Sequence, residues 1–206
     1  GALAGLSLHG LAAPVLRAAL HDAGLSPDAV GELIVANALG AGGNPARILA
    51  LAADVPERVA GLSIDRQCAG GLDALVLADA MIRSGQAEVV VAGGVESYSQ
   101  RPQRAWAKPD GTLEPYDRPP FSPFPDRDPE MATAAADLAD QLMISRQDQD
   151  DWAVASHAKA RAASAQLQQE IVALNGLGHD PFTRSLTAQI CQRAAQISGP
   201  VTQANT

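Results

Sequence analysis

The chain has 206 residues, with 15 Lys plus Arg against 23 Asp plus Glu, for a formal net charge of −8. That length holds one large domain or two modest ones. The acidic balance argues against a general nucleic-acid or anionic-membrane binder, although a local basic pocket for one small anion is compatible with it. No apolar run reaches the roughly 18 residues a membrane span needs, so none is expected. Two cysteines, Cys68 and Cys191, are too few for a disulfide scaffold or a cysteine-based zinc site. No signal peptide opens the chain, and a cytoplasmic location is expected. The sequence begins at Gly1 rather than Met, which reads as processed or incomplete.

In chain order, Leu11, Val15, Ala19 and Ala23 recur every fourth residue and predict an amphipathic helix ending at Gly24. Residues 33–39 read as a buried strand. Asn44 suits an N-cap and Pro45 the first helical position, so a helix starts there and runs through Arg47 and Leu51. Residues 59–64 predict another strand, Cys68 opens a long apolar stretch reaching Arg83, and residues 89–92 predict a strand closed by Gly93 and Gly94. This alternation argues for a layered α/β domain over residues 1–97.

Composition changes at Tyr98. Eight of the 14 prolines fall within residues 102–129, a density that excludes helix and internal strand. Trp106, Tyr116, Phe121 and Phe124 share that stretch, which favours an ordered loop over a solvated linker. Helices return at 131–142 and, behind a capping box at Ser145-Arg146-Gln147-Asp148, up to Ala165. Residues 170–174 read as a short strand, 187–193 as a helix and 201–205 as an extended end.

Cys68 is the strongest candidate for chemistry. It stands where a predicted strand gives way to a helix, and N–H groups and the positive end of the helix dipole favour a thiolate there. Ala69, Gly70 and Gly71 let a substrate or a second segment approach closely. The competing reading is a buried cysteine acting as a small hydrophobe. The helix over 72–82 is apolar on nearly all sides, with only Asp73 and Asp79 as exceptions. It therefore needs protein layers on both faces, more than residues 1–97 can supply. His9, His21, His157 and His179 share no metal-ligand spacing, and no metal site is expected. The run Gly40-Ala41-Gly42-Gly43 fails as a dinucleotide fingerprint, because its third glycine would fall at Pro45.

Taken together these residues resemble the thiolase family. Gly42-Gly43-Asn44-Pro45-Ala46-Arg47 resembles the family's G-x-N-P-A-R loop, and Gln67-Cys68-Ala69-Gly70-Gly71-Leu72-Asp73-Ala74 its nucleophile segment. Ala92-Gly93-Gly94-Val95-Glu96-Ser97-Tyr98-Ser99 resembles A-G-G-x-E-x-M-S, with Tyr98 in place of methionine. Ser145-Arg146-Gln147-Asp148-Gln149-Asp150 resembles S-R-x-x-Q-D, and Gly199-Pro200-Val201-Thr202-Gln203-Ala204-Asn205 resembles G-x-V-T-A-x-N.

The resemblance implies an α/β fold, the first half of a layered α/β/α thiolase without its opening strand, over residues 1–97. It implies an inserted, mostly helical loop domain over residues 98–206 that covers the active site and binds coenzyme A. It implies that Cys68 is the catalytic nucleophile, forming an acyl-enzyme thioester in thiolytic cleavage or Claisen condensation of 3-ketoacyl-CoA. A base histidine and a second cysteine are implied in a second half outside these residues. Met131 matches a methionine bordering the acyl pocket, although Ala132 and Ala136 replace the family's glycine and glutamate nearby. Arg184 matches an arginine lying against coenzyme A.

The implied protein is a thiolase-like acyl-CoA acyltransferase of fatty acid metabolism, present here as a first-half fragment or an incompletely resolved subunit. Coenzyme A is its substrate, no cofactor is covalently bound, and the assembly is a homodimer or dimer of dimers with Asn44, Arg47 and the strand after Ser84 near the two-fold axis. The alternatives are a non-catalytic homologue that binds acyl-CoA or serves as a structural subunit, and a decarboxylating condensing enzyme. The Glu96 segment argues against the last.

Overall fold

A computed structural model describes residues 1–40 and 42–206, so Ala41, inside the glycine run at 40–43, lies outside the described residues. The chain divides into two units, Gly1–Tyr116 with Val172–Leu177, and Asp117–Ile171 with Gly178–Thr206. Residues 98–116 thus go with the first unit.

The first unit is built on a parallel sheet of β1 (Glu32–Ala36), β2 (Ala60–Ile64) and β3 (Val90–Gly94) in the order β2-β1-β3. Parallel neighbours need crossovers, supplied here by helices. α2 (Pro45–Ala52) joins β1 to β2, and α3 (Gly70–Arg83) joins β2 to β3. The central strand is apolar on both faces, as a strand covered on two sides must be. Leu33 and Val35 pack with Leu16 and Leu20 of α1 (Leu8–Asp22) and with Leu49 of α2. Ile34 points the other way, onto Ala74 and Ala78 of α3. The expected α/β class and three-layer order are therefore present. Gly93 and Gly94, expected to close the last strand, form its end instead, paired with Val35 and Ala36.

Asn44 caps α2 as expected. Its Oδ1 accepts the Arg47 N–H at 3.1 Å, and its Nδ2 donates to the Gly61 carbonyl at 2.7 Å. A Cβ at Gly61 would come within 2.5 Å of the Arg47 nitrogen, so glycine is what lets α2 sit this close to β2. The Arg47 guanidinium donates to the Val59 and Glu57 carbonyls at 2.6 and 3.0 Å, bracing the entry to β2.

α3 buries only Gly70, Ala74 and Ala78. Its outer face is open, with Leu72 66%, Leu75 56% and Val76 59% exposed. The sequence called for layers on both faces, and among the described residues the sheet covers one.

The proline-rich stretch holds an antiparallel hairpin of β4 (Arg104–Ala107) and β5 (Leu113–Tyr116), on which the Trp106 and Tyr116 rings stack with centroids 4.9 Å apart. Each strand of a two-stranded hairpin keeps a free edge, which is where Pro115 is tolerated.

The second unit is mostly helical, with α4 (Met131–Gln141), α5 (Arg146–Ala162), α6 (Ser164–Glu170) and α7 (Ala188–Arg193), followed by a small hairpin of β6 (Gln196–Ser198) and β7 (Val201–Thr202). Buried Asp150 ties its parts together, accepting from Arg146 Nε at 2.8 Å and from Asn205 Nδ2 at 2.9 Å. The strand expected over 170–174 is absent. α6 runs through Glu170, and Leu174 pairs with Leu177 across a turn that Gly176 makes at φ 77°. No helix among the described residues is long and apolar enough to cross a membrane.

Candidate active site

Between β2 and α3 the chain makes a constrained turn. Asp65 Oδ1 accepts the Gln67 N–H at 2.8 Å, and Gln67 is held at φ 49°, in the left-handed region. A non-glycine residue there costs on the order of 1 kcal/mol, and such strain collects at functional sites. Cys68 follows on a single 3-10 turn, Gln67–Ala69, that runs directly into α3. Gly70 fits against β1 because it has no side chain, since a Cβ there would lie 2.7 Å from the Ala36 Cβ.

Cys68 is exposed, not a buried hydrophobe. It lines a cleft of about 260 Å³ at the carboxyl ends of β1 and β3, together with Ala36, Asn37, Ala38, Gly94 and Glu96. That is where open parallel sheets place their ligands. Arg66, on the same rim, is paired through Nε to Asp73 Oδ2 at 2.8 Å. Among the described residues lining the cleft there is no histidine, and its carboxylates are Asp65 and Glu96.

Glu96 was legible in the sequence only as part of a motif, and its role is spatial. Its Oε1 accepts from Asn37 Nδ2 at 3.0 Å and from the Ala38 N–H, and its Oε2 accepts from the Leu39 N–H at 3.2 Å. The Asn37 amide also donates to the Val95 carbonyl at 2.9 Å. From the hairpin, Arg104 Nη2 donates to the Ala38 carbonyl at 2.7 Å. The signal that could have found this is the parallel pairing of β1 with β3, which brings residues 37–39 beside residues 95–96.

Met131 and Arg184 belong to the second unit. Met131 opens α4 with its side chain exposed. Arg184 is exposed, and its backbone N–H donates to Nδ1 of His157 at 3.3 Å, with the His157 ring stacked 6.3 Å from Phe182. The same unit has a cleft of about 760 Å³ lined by Arg161, Ser164, Gln168, His179 and Thr183 among others, and neither Met131 nor Arg184 lines it. Cys191 is buried beside Leu186 and Ala204. Burial, then the Asp150 charge, pushes its thiol above the ordinary value of 9.0. His9 bonds Ser7 Oγ at 3.1 Å, and His21 lies 3.6 Å from Asp22 with both side chains in solvent.

The sequence profile of the family described as Thiolase, N-terminal domain, matches residues 1–193. The chain is 39% identical over 204 residues to YhfS of Bacillus subtilis (strain 168), provisionally named an acetyl-CoA C-acetyltransferase, covering 95% of the chain and 52% of that protein. It is 36% identical over 182 residues to the acetyl-CoA acetyltransferase of Cupriavidus necator, covering 84% of the chain and 46% of that enzyme. It is 34% identical over 178 residues to peroxisomal 3-ketoacyl-CoA thiolase 2 of Arabidopsis thaliana, covering 84% of the chain and 37% of that protein. The chain thus spans about half the length of the curated relatives it matches.

Proposed function

This chain belongs to the thiolase family, and from that membership we propose that it carries the nucleophile of an acyl-CoA acyltransferase, with Cys68 as the acylated residue. The observation that carries this reading is an exposed thiol on a strained turn at the start of a helix, opening into a cleft at the carboxyl ends of the strands. In the forward step the Cys68 thiolate attacks the thioester carbonyl of an acyl-CoA. The tetrahedral adduct collapses, the bond to the coenzyme A sulfur breaks, and coenzyme A leaves as the thiol once protonated. When the substrate is a 3-ketoacyl-CoA, attack falls on the 3-keto carbon. The bond between carbons 2 and 3 breaks, and the departing acetyl-CoA enolate takes a proton.

Both routes need a base for the thiol and donors for the developing oxyanion. No histidine lines the cleft among the described residues, and we assign those groups to the part of the relatives' length that this chain does not span. The open apolar face of α3 is a surface for that remaining protein to cover. Met131 and Arg184 are assigned to the acyl pocket and to coenzyme A. The assembly is a homodimer or dimer of dimers with Asn44, Arg47 and β3 near the two-fold axis, and the outer edge of β3, which has no strand partner among the described residues, supports it.

Incubating the full-length protein with acetyl-CoA and mapping the acylated peptide by mass spectrometry tests the assignment. Acylation is expected at Cys68, and acylation elsewhere refutes it.

A further inference from the structure

We propose that Glu96 is a positioning residue for acylation, fixing the loop after β1 that forms one wall of the Cys68 cleft; this rests on the reading of Cys68 as the acylated nucleophile. The loop needs such a device. The Asn37 N–H still has a sheet partner in the Ile64 carbonyl. The next two N–H groups, of Ala38 and Leu39, are past the end of the ladder, and both turn to Glu96. A carboxylate is well suited to this task, because its two oxygens accept several N–H bonds at once and charge strengthens each of them. Here the fork divides the work, with Oε1 taking the Asn37 amide and the Ala38 N–H and Oε2 taking Leu39. Arg104 holds the opposite side of the same segment through the Ala38 carbonyl. The loop is therefore gripped at both its donors and its acceptor.

The arrangement has a second consequence. A carboxylate left free in a cysteine cleft would disfavour the thiolate. Glu96 lines that cleft with both of its oxygens engaged by loop N–H groups, so it is held to the wall rather than left free. Glutamine cannot do the same, because one end of its amide is a donor and would face another N–H group. Alanine keeps none of these bonds.

The test compares E96Q and E96A with the parent in the full-length protein by two rates. Alkylation by iodoacetamide over a pH series reports the exposure and ionisation of Cys68, whereas acylation by acetyl-CoA also requires the cleft wall to be in place. The alkylation profile is expected to keep its midpoint in both variants. Acylation is expected to fall by about 10²-fold in E96A, the scale of a misplacement near 1 Å, with E96Q intermediate and both variants folded by circular dichroism. Acylation of E96A at the parent rate overturns the proposal. A shift of the alkylation midpoint that accounts for the acylation change also overturns it, because Glu96 would then act through its charge on the thiol. If the parent itself is not acylated at Cys68, the functional reading fails and this proposal falls with it, an outcome that differs from either of the others.

Discussion

Cys191 lies in the core of the second unit, packed against Leu186 and Ala204, and burial raises its thiol above the ordinary range. Cys68 is exposed on its turn. Iodoacetamide at neutral pH should therefore label Cys68 and spare Cys191, and peptide mapping checks it. Because Cys191 titrates only at high pH, its labelling should begin only as the protein is taken well into alkali or unfolded. Gly70 gives a second prediction. Alanine there would bring two Cβ atoms to 2.7 Å, against β1 backbone that cannot move freely. Gly70→Ala should cost about 1–3 kcal/mol by urea denaturation and displace the turn that carries Cys68. The strand-to-helix turn that carries Cys68 could be anticipated from the small residues after it and the strand before it. The strain at Gln67 and the grip of Glu96 could not, because the first is a backbone angle and the second depends on which strands become neighbours.

α5 begins with a reciprocal cap. Ser145 Oγ accepts the Asp148 N–H at 3.1 Å, and Asp148 Oδ2 accepts the Ser145 N–H at 2.9 Å. The Ser145 hydroxyl, and then its N–H, hold the Asp148 carboxyl below its ordinary 3.8. A lowered folded value means the capping contribution is present above that ordinary value and is lost as pH falls through the lowered one. Amide protection at the first turn of α5, taken relative to the intrinsic exchange rate at each pH, should fall in that acid window, whereas Asp148→Asn should remove the pH step there. Ser145→Ala should cost roughly 1 kcal/mol at neutral pH.

Helices were the more legible elements because caps announce them, as Asn44-Pro45 and Ser145 do here. The strands were harder. The expected strand at 170–174 is a short apolar run with no strand beside it, and Glu170 instead completes a helix. Gly93 and Gly94 read as a stop, yet the parallel register with Val35 and Ala36 carries β3 through them. The absent Cβ at Gly94 matters there, since one would lie 3.3 Å from the Ala36 Cβ.

Across the whole molecule the decisive feature is the outer face of α3. Leu72, Leu75 and Val76 stand more than half exposed while the opposite face packs on Ile34 through Ala74 and Ala78. Burying a leucine or valine is worth about 1.5–3 kcal/mol, so leaving three open forgoes a sum comparable with much of a domain's stability. The sequence showed the need for a second layer, because a helix apolar all round cannot face water. It could not show which face was already covered. Residues 1–206 expressed alone should therefore bind hydrophobic dyes and self-associate. On the proposed reading they should also fail to cleave acetoacetyl-CoA, because no histidine lines the Cys68 cleft among the described residues, and losing a general base and an oxyanion donor costs about 10²–10⁴-fold and a further 10²–10³-fold. The triple variant Leu72→Lys, Leu75→Lys, Val76→Lys separates these two effects. In the isolated chain it should reduce dye binding and association without unfolding the sheet, since the packed face of α3 is untouched. On the proposed reading, the same variant in the full-length protein should abolish activity, because three charges would stand on the face proposed to be covered. Light scattering and a thiolysis assay on both forms decide the matter. Turnover by the isolated chain as a soluble monomer would show that the site is complete without a further layer, and full activity of the triple variant would show that this face is meant for solvent.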